Sequence, residues 1–250
     1  GAGEGQTAAY PVGCPWSGAI APSGKPPGGA TRPSPTGLAT AVPVPSSDKG
    51  IPMKTEASTI RSSAPEASQG KVLLVIGDAT EVIDTLYPWM RLQEASYEVV
   101  LAAPEKRTYS MVQHQRPEGW DITQESPGYL IDADIAFADV RPEEYAGLLV
   151  SGGRAPEYLR YDQHLIEAVQ WIAAAGRPLG SVCHGIEVLA TAGVIQGKQI
   201  TTVPKCQFDA EVCGATYVGG PVVVDGQLVT ARGARDGWQW MREFLKLLDG

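Results

Sequence analysis

The sequence predicts an α/β fold: a mostly parallel sheet with helices on both faces and a small antiparallel hairpin. Three observations carry this. From Lys71 onward, apolar runs of strand length alternate with helical patterns; two of those runs end in small residues that lead into a further helix; and close to the end a two-residue turn joins two alternating strands. KVLLVIG (71–77) and YEVVLAAP (97–104) read as buried strands, and between them TLYPWMRLQEA (85–95) reads as a helix entered through Pro88, a residue tolerated near a helix start. AGLLVSGG (146–153) is a third strand, DQHLIEAVQWIAAAG (162–176) a helix closed by Gly176, and RPLGSVC (177–183) a strand running into another helix. PVVVDGQLVTA (221–231) places Asp225-Gly226 between alternating apolar residues, a hairpin signal. A last helix follows with Trp238, Met241, Leu245 and Leu248 on one stripe.

Residues 1–69 differ in texture. They hold 11 of the 20 prolines, with much Gly, Ser, Ala and Thr and no sustained hydrophobic period, so they are expected to form a disordered low-complexity tail ahead of one domain spanning 70–250. After residue 70 there are 15 Lys+Arg against 24 Asp+Glu, and the whole chain carries a net charge of −8, which argues against nucleic acid as a partner. No apolar run approaches the roughly 20 residues of a membrane span, and the start lacks the charged-then-apolar order of a signal peptide. Four cysteines, at 14, 183, 206 and 213, give no metal spacing and no dense disulfide framework. A cytoplasmic protein without metal or cofactor, and without a membrane partner, is the expectation.

In GSVCHGIEVLA (180–190), one of four cysteines and one of three histidines stand side by side at a strand-to-helix bend. A nucleophile at such a bend needs small neighbours, and Ser181 and Gly185 flank Cys183 at minus two and plus two. The turn puts sulfur at a helix N-terminus, which favours thiolate and leads to an expected pKa below that of free cysteine. The alternative, a buried cysteine acting as a small hydrophobe, fits this turn less well. No histidine follows His184, which excludes papain-like and glutamine amidotransferase-like sites, since both need a downstream histidine. His114 lies in a polar stretch and His164 on a surface helix, so both read as solvated. His184 remains as the acid-base candidate.

The stretches GDATEVIDTLYP, SGGRAPEYLR, SVCHGIEVLATAGVI and VVVDGQLVTARGARDGWQWMREFLKLL occur in the order found in the DJ-1/PfpI superfamily, and residues 71–248 resemble its intracellular cysteine peptidase branch. The resemblance implies a flavodoxin-like three-layer sandwich and an activity among those of the family: peptidase or amidase, deglycase, cofactor-free glyoxalase, or stress chaperone. It puts Cys183 in the place of the nucleophile and His184 in that of the histidine after it. Asp84 falls where the family usually has a glutamate against the sulfur, and Glu157 where the peptidase branch recruits a carboxylate from a neighbouring subunit. A carboxyl group pressed against a thiolate in an apolar pocket should keep its proton and donate to sulfur. Asp84 also suits a helix N-cap, and both roles stay open.

Gly153 is the expected oxyanion donor, with the backbone amide of His184 as its partner; the alternative is an ordinary tight turn. Two departures stand out: Asp84 is one methylene shorter than the family's glutamate, and Val203 replaces a Tyr or His that commonly assists the cysteine. Cys206 is a candidate resolving cysteine, with helix packing beside Cys213 as the alternative. QHQRPEGWDITQESPGY (113–129) reads as a long irregular loop of the kind that forms lids, with Trp120 a candidate substrate contact.

Together these residues predict a cysteine-dependent hydrolase of the peptidase, amidase or deglycase type, acting as a homo-oligomer on a small carbonyl compound or peptide. A cofactor-free glyoxalase and a non-enzymatic redox sensor or chaperone are the alternatives.

Overall fold

The computed structural model describes residues 59–60 and 68–250. In chain order the elements are β1 Thr59–Ile60, β2 Lys71–Val75, α1 Val82–Glu94, β3 Glu98–Ala103, β4 Thr108–Gln115, β5 Gln124–Asp132, β6 Ile135–Ala136, β7 Tyr145–Val150, α2 Ala155–Leu159, α3 Gln163–Ala174, β8 Leu179–Val182, α4 Ile186–Thr191, β9 Gln199–Ile200, α5 Gln207–Val212, β10 Thr216–Tyr217, β11 Val222–Asp225, β12 Leu228–Ala231 and α6 Gly237–Asp249.

Seven strands form the main sheet in the order β11-β12-β8-β7-β2-β3-β6. Every pair is parallel except the terminal hairpin β11–β12, which turns at Asp225-Gly226 as the sequence predicts. The central strand β2 reads VLLV because Val72, Leu73, Leu74 and Val75 are all covered, alternately by the two helical layers. Leu73 and Val75 join the core under α2, α3 and α4, with Leu165, Val169 and Leu189. Val72 and Leu74 join the opposite core with Trp89 and Leu92 of α1 and Trp240 and Phe244 of α6. β2, β7 and β8 lie side by side in parallel, so their carboxyl ends open at one edge of the sheet, where sites of such folds lie.

Four expectations change. Helix α1 begins at Val82, three residues earlier than the pattern from Thr85, so Pro88 sits inside it. Proline has no N–H for the Asp84 carbonyl four residues back, and Ser151 Oγ donates to that oxygen instead, at 3.4 Å. The expected lid is mostly a hairpin: β4 and β5 pair antiparallel from Thr108↔Asp132 to Gln115↔Gln124, leaving an irregular tip over 116–123. On α6 the buried stripe is Trp240, Met241, Phe244 and Leu245, and Trp238 is 53% exposed. Finally, Thr59–Ile60 pairs in parallel with β5 at Leu130 and Ile131, so two residues ahead of position 70 join a three-stranded sheet with the hairpin. The expected disorder of the rest of the tail, Cys14 included, lies outside the described residues up to 67.

Candidate active site

Cys183 follows β8 directly and opens a 3₁₀ turn, Cys183–Gly185, that leads into α4. Its φ is +56°, a left-handed conformation that side-chain-bearing residues adopt at a cost. The surroundings hold it there. Thr202 Oγ1 donates to the Cys183 carbonyl at 2.6 Å, and a Cβ on Gly185 would come 2.5 Å from the Val150 carbonyl oxygen, so only glycine lets the turn press onto β7. The bend predicted from Ser181 and Gly185 is therefore built, with Cys183 half-buried in it.

The loop after β7 supplies the opposite wall. Gly153 has φ +83°, and a Cβ there would lie 2.5 Å from the Glu81 amide nitrogen. This close approach zips the loop to the one after β2: Arg154 N–H donates to Ala79 O at 2.9 Å and Glu81 N–H to Gly152 O at 3.2 Å. The two expected oxyanion donors lie beside the nucleophile, for the backbone N–H groups of Gly153 and His184 both favour its thiolate form.

Asp84 enters from the first turn of α1 and is 3% exposed. The two roles left open for it now separate. Glu81 is the N-cap, its Oε2 accepting from Asp84 N–H at 2.7 Å, while neither oxygen of Asp84 has a hydrogen-bond partner. Gly152 is the spacer between acid and sulfur. A side chain there would overlap Asp84 Oδ2 and lie 2.6 Å from Cys183 Cβ. Burial, reinforced by the charge of Glu81, holds the Asp84 carboxyl well above the usual carboxylate range, so it keeps its proton.

The lowered thiol pKa expected for Cys183 is not what this environment gives. Burial is the largest influence and pushes the thiol up; the His184 and Gly153 amides pull the other way without overcoming it. The helix that was to supply a dipole is only six residues long and starts three residues past the sulfur. His184 Nδ1 lies 3.2 Å from Cys183 Sγ, and burial followed by the charges of Lys205 and His114 lowers its pKa to about 4, leaving a neutral ring.

Other predicted residues are placed as follows. Glu157 is an exposed first-turn residue of α2, outside the groups that act on its own His184. Trp120 is 50% exposed in the hairpin tip, where its carbonyl accepts from Arg116 Nε at 3.0 Å. Cys206 is buried, and its S–H donates to Glu187 Oε1 at 3.4 Å; Glu187 in turn lies 3.7 Å from Arg160. Cys213 packs at the edge of the core under α5. Val203 packs there too, between Thr202 and the turn Pro204–Cys206. His164 is exposed as expected, but His114 is half-buried, pairs with Glu125 at 3.3 Å and acts electrostatically on His184. Its neighbours in the sequence are polar because they belong to a hairpin with one solvated face, a reason to misread it as solvated.

A profile of the DJ-1/PfpI family matches residues 70–247. The chain belongs to the DJ-1/PfpI family. It is 36% identical over 178 residues to a deglycase of Pyrococcus abyssi, covering 71% of this chain and 99% of that protein. It is 33% identical over 178 residues to Deglycase PfpI of Pyrococcus furiosus, with the same two shares, and 31% identical over 179 residues to Protein/nucleic acid deglycase 2 of Escherichia coli K12, covering 71% and 97%. Among solved structures, Drosophila melanogaster DJ-1beta superposes with a TM-score of 0.60 at 19% identity, covering 72% of this chain and 91% of that one, which shows the shared fold.

Sequence reasoning passed over Glu81 and Gly152. The signal for Glu81 was present: an acid three residues ahead of Asp84, at the spacing with which a cap reaches a first-turn amide.

Proposed function

We propose that this DJ-1/PfpI family member is a cysteine-dependent hydrolase of the deglycase type, releasing an amine from its carbonyl adduct. One observation carries the reading: the Cys183 sulfur lies 3.2 Å from His184 Nδ1, while the buried carboxyl of Asp84, with no hydrogen-bond partner of its own, stands across Gly152. The relatives named deglycases support it.

The thiol is neutral at rest, so its proton must leave as sulfur attacks. His184 Nδ1 at 3.2 Å is placed to take it as the C–S bond forms. Attack on the carbinol carbon of an aldehyde–amine adduct expels the amine, which takes a proton from Asp84. Asp84 is then a carboxylate, able to carry the carbinol proton through an enediol to the adjacent carbon. The result is a thioester that water hydrolyses to a 2-hydroxy acid and free thiol. Gly153 and His184 N–H groups hold the negative oxygen that develops on the enediol and, later, when water adds to the thioester. The same covalent step would serve a peptidase or amidase, whose leaving group is also an amine.

Glu157 completes the reading from outside: it acts on a neighbouring copy's His184 in a homo-oligomer. The thiols of Cys183 and Cys206 suit a reducing compartment such as the cytoplasm.

The test is amine release from a methylglyoxal adduct of an amino acid, measured beside free methylglyoxal consumption. Wild-type turnover of the preformed adduct, abolished in Cys183→Ala, is expected. Consumption of free methylglyoxal with no acceleration of amine release would make the protein a glyoxalase. Stoichiometric oxidation of Cys183 without turnover would make it a redox sensor.

A further inference from the structure

The mouth of the site carries a cation that the hydrolytic reading does not use. Lys205 is the middle residue of the turn Pro204–Cys206 and is exposed. The segment before it is tied to the nucleophile by the bond from Thr202 Oγ1 to the Cys183 carbonyl. From there Lys205 Nζ reaches across to the hairpin tip and donates to Thr123 Oγ1 at 3.2 Å. Its charge is, after burial, the largest influence on His184.

Three acids on the neighbouring elements are already engaged. Glu125 is held by Arg154 at 2.8 Å and by His114 at 3.3 Å. Asp209 lies 3.7 Å from Arg160, and so does Glu187, which also accepts from Cys206. Among the described residues no ion pair involves Lys205, in a chain whose net charge is −8. An ammonium has three donors, and one is spent on Thr123, leaving two that can meet an incoming carboxylate.

We propose that Lys205 is a specificity residue that receives a carboxylate of the substrate, so that carbonyl adducts of amino acids with a free carboxyl group are preferred over neutral adducts. This rests on the hydrolytic reading and adds the charge of the substrate to it. Lys205 takes no part in bond making; it orients the amine side of the adduct while Cys183 attacks the carbon.

Two anionic and neutral probe pairs test this. The first needs no turnover: the rate of Cys183 alkylation by iodoacetate is divided by that for iodoacetamide, which cancels changes in thiol reactivity. Lys205→Met is expected to lower this ratio about three- to tenfold, as a part-exposed charge pair would, while Lys205→Arg keeps it. Added salt should lower the wild-type ratio and leave that of Lys205→Met nearly flat. The second pair is kcat/KM on methylglyoxal adducts of alanine and of alaninamide, where Lys205→Met should cut the alanine preference by a similar factor. An alkylation ratio that Lys205→Met does not move overturns the proposal, even where both adducts are turned over. If the ratio falls as expected while wild-type protein turns over neither adduct, the carboxylate contact stands and the hydrolytic reading fails.

Discussion

Asp84 ties the stability of the fold to pH. Its carboxyl group is buried without a hydrogen-bond partner, and its pKa is raised above the unfolded value of 3.8. Between those two values the unfolded chain gives up the proton and the folded one keeps it, so stability is fully present below the unfolded pKa and is lost as pH rises toward the folded one. The loss is limited to about 1.4 kcal/mol per pH unit for one proton. Asp84→Asn cannot ionise. Urea unfolding of both proteins at a series of pH values should therefore show wild type losing ground to the variant steadily above about pH 4, with Glu81 common to both. A difference that stays constant with pH would mean Asp84 ionises in place. The same variant should lose about 100-fold or more in kcat, since Asn can neither release a proton nor take one back.

At the scale of elements, α6 shows what the sequence could and could not disclose. Its amphipathic character was legible, but WQW offers two tryptophans two positions apart, and hydrophobicity alone does not say which faces the sheet. Packing decides: Trp240 Nε1 donates to the Val229 carbonyl at 3.1 Å, while Trp238 lies outside under Arg242, 5.3 Å from the ring centre. Trp240→Phe should cost about 2 kcal/mol and Trp238→Phe less than about 0.5, by denaturant unfolding. Equal costs would contradict this rotation of the helix. The parallel strands β2, β3, β7 and β8 were legible for the opposite reason, as strands covered on both faces leave unbroken apolar runs. The hairpin β4–β5 was not, because one face is solvated and Pro127 stands in it opposite Val112, next to a register shift. Of the candidate site, Cys183 and Gly153 could be picked out from their turns, and Asp84 through the resemblance to the family. Lys205 and His114 could not, because their place depends on where the hairpin tip folds.

For the whole molecule the open matter is whether one chain makes a complete site. His184 has sulfur on Nδ1, and among the described residues Asp209 is the one carboxylate that acts on it, more weakly than Lys205 does. Glu157 acts instead on Arg154 and Glu187 of its own chain. Around it the surface is apolar where solvent should meet it, with Tyr158 at 43% and, in the turn just past the helix, Tyr161 at 79% exposure. Phe208, next to the Asp209 that faces Arg160, is 74% exposed. Aromatic residues left out in this way beside an acid suit an interface more than a solvated face. If Glu157 serves the partner's His184, activity should fall with dissociation, and Glu157→Gln should lower kcat about tenfold without changing the rate at which Cys183 is alkylated. Complementation is the sharper measurement. Cys183→Ala has no nucleophile but an intact Glu157, and Glu157→Gln has the reverse. Reassembled together, the two should form oligomers in which an intact Cys183 meets an intact Glu157 across the interface, and activity per Cys183 should rise above that of Glu157→Gln alone. A mixture no more active than its parts, or a monomer with full activity in sedimentation-matched assays, would confine Glu157 to the surface of its own chain.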